Sequence, residues 1–301
     1  MNNRLIGIGI VVGAVVLLVF VAFGTKGVNK GRAISDSASL KGLIAENKLD
    51  EAKSVLDKAA EKGQDSIALG KGFFELAGTY EKNGELVKAR DIYNLILNKY
   101  QNIDNITEAQ ERLGRLNIEI LFSSIVTDKD VLYEVQPGDT LSKIAKKFGT
   151  TIDLIKTSNS LESDVIRTGS KFKVSKTGYK ILIDKSQNLL TLLADDGAIV
   201  KVYRVSTGES NSTPVGTFTI INKIEDPVWY TQGAVVPAES PDNILGSRWL
   251  GLSVKGYGIH GTVDPDSVGR QATSGCVRML DKDVRELYTI IPKDTEVTIV
   301  D

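Results

Sequence analysis

The chain has one cysteine, Cys276, and one histidine, His260, among 301 residues. A single thiol excludes an intramolecular disulfide and a thiolate zinc cluster. A single imidazole excludes any site built on several histidines, so a thiol that needs an imidazole base can find only His260. An excess of one charge is also missing. With 37 Lys and Arg against 38 Asp and Glu, the formal net charge is −1, which removes any general electrostatic argument for nucleic-acid binding. Charged residues make up 25% and hydrophobic ones 42%, which excludes a disordered, collagenous or disulfide-scaffold chain. At about 150 residues per domain the length suggests two domains.

One long apolar run is present. Residues Leu5 to Phe23 read LIGIGIVVGAVVLLVFVAF without a charge. At about 1.5 Å per residue the run matches the hydrocarbon thickness of a bilayer. A signal peptide has an apolar region of about 7–15 residues and ends in small residues. Here the run is longer and Ala22-Phe23-Gly24 is a poor cleavage site, so residues 1–24 are expected to be an uncleaved membrane anchor. Residues 25–39 read as a polar tether.

Residues 40–125 have helical periodicity. One stripe runs Ile106, Ala109, Leu113, Leu116, Ile120, at spacings of three and four. An internal repeat at an offset of 37 pairs Leu43 with Tyr80, Asn47 with Gly84, Ala52 with Ala89 and Leu56 with Tyr93. In the second copy Phe73, Tyr80, Gly84, Ala89 and Tyr93 resemble a tetratricopeptide repeat, in which a small residue lets two helices approach and aromatics fill the gap. The resemblance implies all-α helical repeats. Two roles fit: binding a protein partner, or spacing the later domains from the membrane.

Residues 131–175 pattern as strand, helix, helix, strand. Pro137-Gly138 marks a turn. Thr140 is placed to cap a helix bearing Leu141, Ile144, Ala145 and Phe148, Ile152, Leu154 and Ile155 mark a second, and Lys171–Val174 closes the unit. The stretch YEVQPGDTLSKIAKKFGTT resembles a LysM domain. That resemblance implies a small βααβ module that binds glycans containing N-acetylglucosamine, such as peptidoglycan. Its groove would use Gly138, Asp139 and Thr140 and the stretch after the second helix. A plainer role for Asp139 and Thr140 is to cap the first helix. Eight lysines and arginines against five acids in residues 131–177 suit an anionic polymer, or an ordinary solvated face.

Residues 180–301 alternate as strands, with one helix running from an Asp281 cap through Val284, Leu287 and Tyr288. The chemistry lies in YGIHGTVDPDSVGRQATSGCVRM. An imidazole can take the proton of a thiol, and the thiolate attacks carbonyls. Gly275 permits close substrate approach and leaves backbone N–H groups for a developing oxyanion. Arg278 suits a substrate carboxylate. On residue type alone a lone cysteine is more often a small buried hydrophobe and a lone histidine a structural residue. Trp229, Tyr230 and Trp249 could line a cleft or pack a core.

His260-Gly261-Thr262 followed by Thr273-Ser274-Gly275-Cys276-Val277-Arg278-Met279 resembles the signature of YkuD-type L,D-transpeptidases. Ser206-Thr207-Gly208, Thr213-Pro214-Val215-Gly216-Thr217-Phe218, Leu245-Gly246-Ser247-Arg248-Trp249 and a closing strand after Asp294-Thr295 extend the match. The resemblance implies a mostly-β, sandwich-like catalytic domain that needs no metal or cofactor. It makes Cys276 the nucleophile and His260 its base, with the Gly261 carbonyl orienting the ring. The Gly275 and Cys276 amides would form the oxyanion hole, and Arg278, Ser274 and Trp249 would meet the substrate. Many members have a histidine where this chain has Ser274, which leaves His260 both proton steps.

The implied reaction is cysteine acyl transfer on peptidoglycan stem peptides. The bond from the third stem residue to D-alanine is cleaved, and the acyl group passes to an amine. Carbapenems would acylate Cys276. A carboxypeptidase using the same site and a non-catalytic wall-binding scaffold are the alternatives. These domains imply the bacterial cell envelope, with an inner-membrane anchor and the domains facing the periplasm or wall. Lys26, Lys30 and Arg32 beyond the apolar run point to the cytoplasm instead, but long domains cross largely regardless of nearby charge.

Overall fold

The computed structural model describes residues 37–231 and 233–301. The apolar run expected to form the anchor lies outside them. Among the described residues no helix is long and apolar enough to cross a membrane.

Five helices come first: α1 (Ser37–Ala45), α2 (Leu49–Glu61), α3 (Ser66–Lys82), α4 (Leu86–Lys99) and α5 (Ile106–Phe122). α1 begins inside the segment expected as a tether. Consecutive helices pack on one another around Leu56, Phe73, Leu76, Tyr80, Tyr93 and Ile96. The 37-residue offset has a physical counterpart. Asn47 and Gly84 both turn the chain with left-handed φ, +59° and +76°, and Ala52, Ala89, Leu56 and Tyr93 are fully buried. The Tyr80 hydroxyl donates to the Asp50 carboxylate at 2.7 Å, tying the second copy to the first.

The next unit is β1 (Asp130–Glu134), α6 (Leu141–Phe148), α7 (Ile152–Ser158) and β2 (Lys171–Ser175). The strands pair antiparallel, with Leu132 opposite Lys173. Val135, Leu141, Ile144, Ile155, Phe172 and Val174 close its core. Thr140 does cap α6: its hydroxyl accepts the Lys143 N–H at 3.2 Å, satisfying one orphan donor of the first turn. Asp139 does not cap the helix. Its carboxylate accepts from the Gln136 N–H and the Tyr133 hydroxyl, each at 2.8 Å, and closes the turn before it.

The last unit contains β3 (Tyr179–Asp184), β4 (Leu189–Ala194), β5 (Ile199–Gly208), β6 (Gly216–Glu225), β7 (Trp229–Thr231), β8 (Ala234–Val236), β9 (Arg248–Leu252), β10 (Gly258–His260), β11 (Gln271–Thr273), β12 (Val277–Met279), α8 (Asp281–Ile290) and β13 (Glu296–Val300). Its sheet is not a sandwich. The strands follow the order β5, β12, β10, β9, β6, β13, β3, β4, and β4 pairs back onto β5, so the sheet closes into a barrel. β5 makes closure possible because it is ten residues long. It pairs with β4 through Arg204, then with β12 at Val205 and Ser206, then with β11 at Thr207 and Gly208. Ile181, Ile183, Leu190, Val205, Leu250, Ile259, Val277 and Ile299 fill the interior, with Val284 and Leu287 of α8 against them. β7 and β8 form a separate two-stranded sheet.

Asp281 is the first residue of α8 rather than its cap. Its carboxylate accepts instead from the Ser247 N–H at 2.7 Å, the Ser247 hydroxyl at 2.9 Å and Arg285 Nε at 2.8 Å. An acid in the first turn is still favoured by the helix dipole, but its lone pairs serve the loop leading into β9.

The three units are fastened to one another. Lys173, buried on β2, donates from Nζ to the carbonyls of Ile120 at 2.6 Å, Leu121 at 3.2 Å and Ser123 at 2.9 Å. They sit at the C-terminal end of α5, where carbonyls lack intrahelical partners, and a cation there also meets the negative end of the helix dipole. Asn117 Nδ2 donates to the Val200 carbonyl of β5 at 2.8 Å. The Thr151 hydroxyl donates to the Thr289 carbonyl of α8.

Candidate active site

His260 ends β10, which runs parallel to β12 with Ile259 opposite Val277 and His260 opposite Arg278. Cys276 immediately precedes β12, so adjacent strands carry the thiol and the imidazole, two register positions apart. The imidazole is buried, at 2% exposure. Its Nδ1 lies 2.7 Å from the Gly261 carbonyl oxygen. A carbonyl only accepts, so Nδ1 carries the proton of the neutral ring and Nε2 keeps its lone pair. Burial pushes the imidazole pKa down to about 4; the Gly261 and Leu245 carbonyls pull it up, and the Arg278 charge adds to the fall.

Trp249 sits opposite His260 on β9. The two rings stack with centroids 5.9 Å apart at an interplanar angle of 16°. Gly258 makes room for the indole, which stands 2.5 Å from where a Cβ at that position would lie. Half-buried Trp249 therefore fixes the plane of the imidazole.

The Cys276 thiol is half-buried and donates to the Gly256 carbonyl at 3.7 Å. Burial pushes its pKa up, opposed by the Gly258 N–H and the Arg278 charge. A raised thiol and a lowered imidazole rest as a neutral pair, not as thiolate and imidazolium. The base must therefore take the proton during attack. Arg278 is half-buried, and its Nε is enclosed with no partner among the described residues.

The turn before the thiol is held by two hydroxyls. Gly275 has φ +129°, and a Cβ there would meet the Tyr257 ring at 2.7 Å, so no larger residue fits. Its N–H donates to Thr273 Oγ1 at 3.1 Å, and its carbonyl accepts from Thr213 Oγ1 at 2.9 Å. Thr273 Oγ1 donates in turn to the Cys276 carbonyl at 2.7 Å.

Comparison with known proteins decides what this geometry belongs to. Residues 178–299 match the YkuD L,D-transpeptidase catalytic domain, and residues 133–175 match the LysM domain. A Bacillus subtilis protein bearing the name L,D-transpeptidase YkuD is 34% identical over 175 residues, 56% of this chain and 97% of its own length. A Bacillus licheniformis protein of the same name is 32% identical over 177 residues, 56% of this chain and 98% of its own length. The cell wall-binding protein YocH of Bacillus subtilis is 46% identical over 56 residues, 19% of this chain and 20% of its own length. The chain belongs to the YkuD L,D-transpeptidase family. It is a cell-wall-associated protein, and its activity is L,D-transpeptidation.

In this L,D-transpeptidase the barrel brings together Cys276, His260, Gly261, Gly275, Arg278 and Trp249. Ser274 is exposed beside them. Gly138, Asp139 and Thr140 lie outside the barrel, on the turn between β1 and α6. Of the two other aromatics considered, Trp229 is half-buried and Tyr230 is 75% exposed, both on β7. The Gly275 N–H, expected in the oxyanion hole, donates to Thr273 Oγ1 in this structure. Thr213, Thr273 and Tyr257 escaped the sequence reading as site residues. Thr213 and Thr273 stood in quoted motifs, but nothing local showed that both bind Gly275.

Proposed function

We propose that Cys276 is the nucleophile and His260 the general base of transpeptidation on peptidoglycan stem peptides. The observation that carries this reading is the 2.7 Å contact of His260 Nδ1 with the Gly261 carbonyl, because it makes Nε2 the basic nitrogen. Sγ attacks the carbonyl of the third residue of a tetrapeptide stem. The S–C bond forms and the thiol proton passes to Nε2. The C–N bond to D-alanine then breaks, and His260 gives that proton to the departing amine. An amine of a second stem attacks the thioester, the C–S bond breaks, and the amine proton returns through His260 to sulfur. The product is a 3→3 cross-link or a protein joined to the wall. With Ser274 in place of a second imidazole, His260 performs every proton transfer. The Cys276 N–H faces the oxyanion, Arg278 takes a stem carboxylate through its enclosed guanidinium, and Ser274 meets substrate at the rim.

The LysM module holds glycan containing N-acetylglucosamine on the turn of Gly138, Asp139 and Thr140. Residues 5–23 anchor the chain in the inner membrane with the folded units outside. The helical block, with its tetratricopeptide-like repeat, receives a protein partner. The chemistry is tested by incubating the full chain with a disaccharide-tetrapeptide and reading products by mass spectrometry beside Cys276→Ala. A dimer lacking one D-alanine, absent in the variant, is expected. A tripeptide monomer alone would make the site a carboxypeptidase, and products persisting in Cys276→Ala would remove the thiol from the mechanism.

A further inference from the structure

Glycine is the residue whose flanking peptide planes turn most freely, yet the Gly275–Cys276 peptide must hold one orientation if its N–H is to face an oxyanion. The bonds around it show what holds it. The Thr213 hydroxyl accepts the Gly208 N–H at 2.7 Å and donates to the Gly275 carbonyl at 2.9 Å. A hydroxyl has one proton, and the Gly208 N–H can only donate, so the direction of both bonds is fixed. Thr213 is 2% exposed. Its own carbonyl accepts from Lys185 Nζ at 2.9 Å, and that buried ammonium also pairs with Asp301 at 2.9 Å. In a trans peptide the C=O and N–H point in opposite directions. Drawing the Gly275 carbonyl inward to Thr213 therefore turns the Cys276 N–H outward. With the Gly275 N–H and the Cys276 carbonyl both bound to Thr273, the Cys276 N–H is a donor of this turn with no partner among the described residues.

We infer that Thr213 is a positioning residue for the oxyanion donor: its hydroxyl sets the Gly275–Cys276 peptide plane so that the Cys276 N–H meets the negative oxygen formed on the attacked carbonyl. The inference rests on Cys276 being the nucleophile. It assigns Thr213 no contact with substrate and Lys185 the task of holding Thr213.

The test separates acylation, which builds an oxyanion, from alkylation, which does not. When iodoacetamide alkylates Cys276, an S–C bond forms, iodide leaves and the thiol proton goes to His260, with no negative oxygen to stabilise. In the full chain, Thr213→Val should lower kcat for D-alanine release from the disaccharide-tetrapeptide by about 100-fold, the scale of one lost oxyanion donor, with KM changed by less than about twofold. Its alkylation rate and the pH profile of that rate should stay at the parent values. Thr213→Ser should restore kcat, because the hydroxyl returns. Lys185→Met should show the same split at smaller size, and it carries the test if Thr213→Val does not fold. An unchanged kcat in Thr213→Val overturns the inference. Equal losses of acylation and alkylation overturn it too, since they would mark a collapsed turn. Release of D-alanine by Cys276→Ala would instead overturn the nucleophile reading beneath it, whatever Thr213 does.

Discussion

Two glycine turns in this chain are furnished with the same kinds of side chain and put them to opposite use. At Gly138-Asp139-Thr140 the carboxylate closes its own turn through Gln136 and Tyr133, and the threonine caps α6. Both partners come from within a few residues. At Gly275-Cys276 one of the holding hydroxyls, on Thr213, comes from the loop after the neighbouring strand β5, 62 residues away in sequence. It binds the backbone so that the Cys276 N–H is left over. The first turn spends its polar groups on folding the segment that carries them. The second borrows groups from elsewhere and keeps a donor and a thiol in reserve. Similar residues around a glycine thus do not distinguish a structural turn from a reactive one, whereas the sequence distance of their partners does.

The sharpest test of the contrast is Cys276→Ala, which should reduce transfer by at least about 10⁴-fold while leaving the unfolding midpoint almost unchanged; a large loss of stability would mean the thiol is a packing group. Next comes Thr273→Val, which strips partners from the Gly275 N–H and the Cys276 carbonyl. It should lower kcat by about 100-fold, with activity recovered in Thr273→Ser. Equal activity in the valine and serine variants would make the two turns alike.

The pH dependence supplies a third test. His260 has a folded pKa of about 4 against about 6.5 when unfolded. As pH falls through 6.5 the unfolded chain takes up the proton first, so stability is lost between about pH 6.5 and 4. The loss amounts to about 3 kcal/mol. Urea titrations across that window should show the decline, and His260→Gln should flatten it. The acid limb of kcat/KM should fall in the same window, near pH 4. The smallest effect belongs to the structural turn: Thr140→Ala should cost about 1 kcal/mol of stability through the lost cap. The kcat for D-alanine release from a sugar-free tetrapeptide should be unaffected, because the glycan that the turn holds is absent, and a loss would show that the two turns communicate.

Where partners were close in sequence, the pattern could be read directly. The alternation of the LysM module, the Thr140 cap and the turn at Gly84 all lie within a few residues of their signals, whereas the Gly261 carbonyl beside His260 came only with the family resemblance. The misreadings involve distance. Closure of the sheet depends on β5 changing partners twice, and periodicity does not record a partner. Asp281 reads as a cap because an acid before an apolar stripe usually is one. It yields that role because Ser247, brought up by β9, competes for the same oxygens. The Gly275 amide reads as free because Thr273 is seen as a neighbour and not as an acceptor.

The Lys173 ammonium under the end of α5 has a consequence for dissecting this enzyme. Cutting the module out would take from the Leu121 and Ser123 carbonyls at the end of α5 the donor they share. A cut between α5 and β1 therefore parts the Lys173 ammonium from its carbonyls, whereas a cut after β2 leaves that contact whole. The glycan-binding module and the helices before it should melt in one transition, as parts soldered at a single joint.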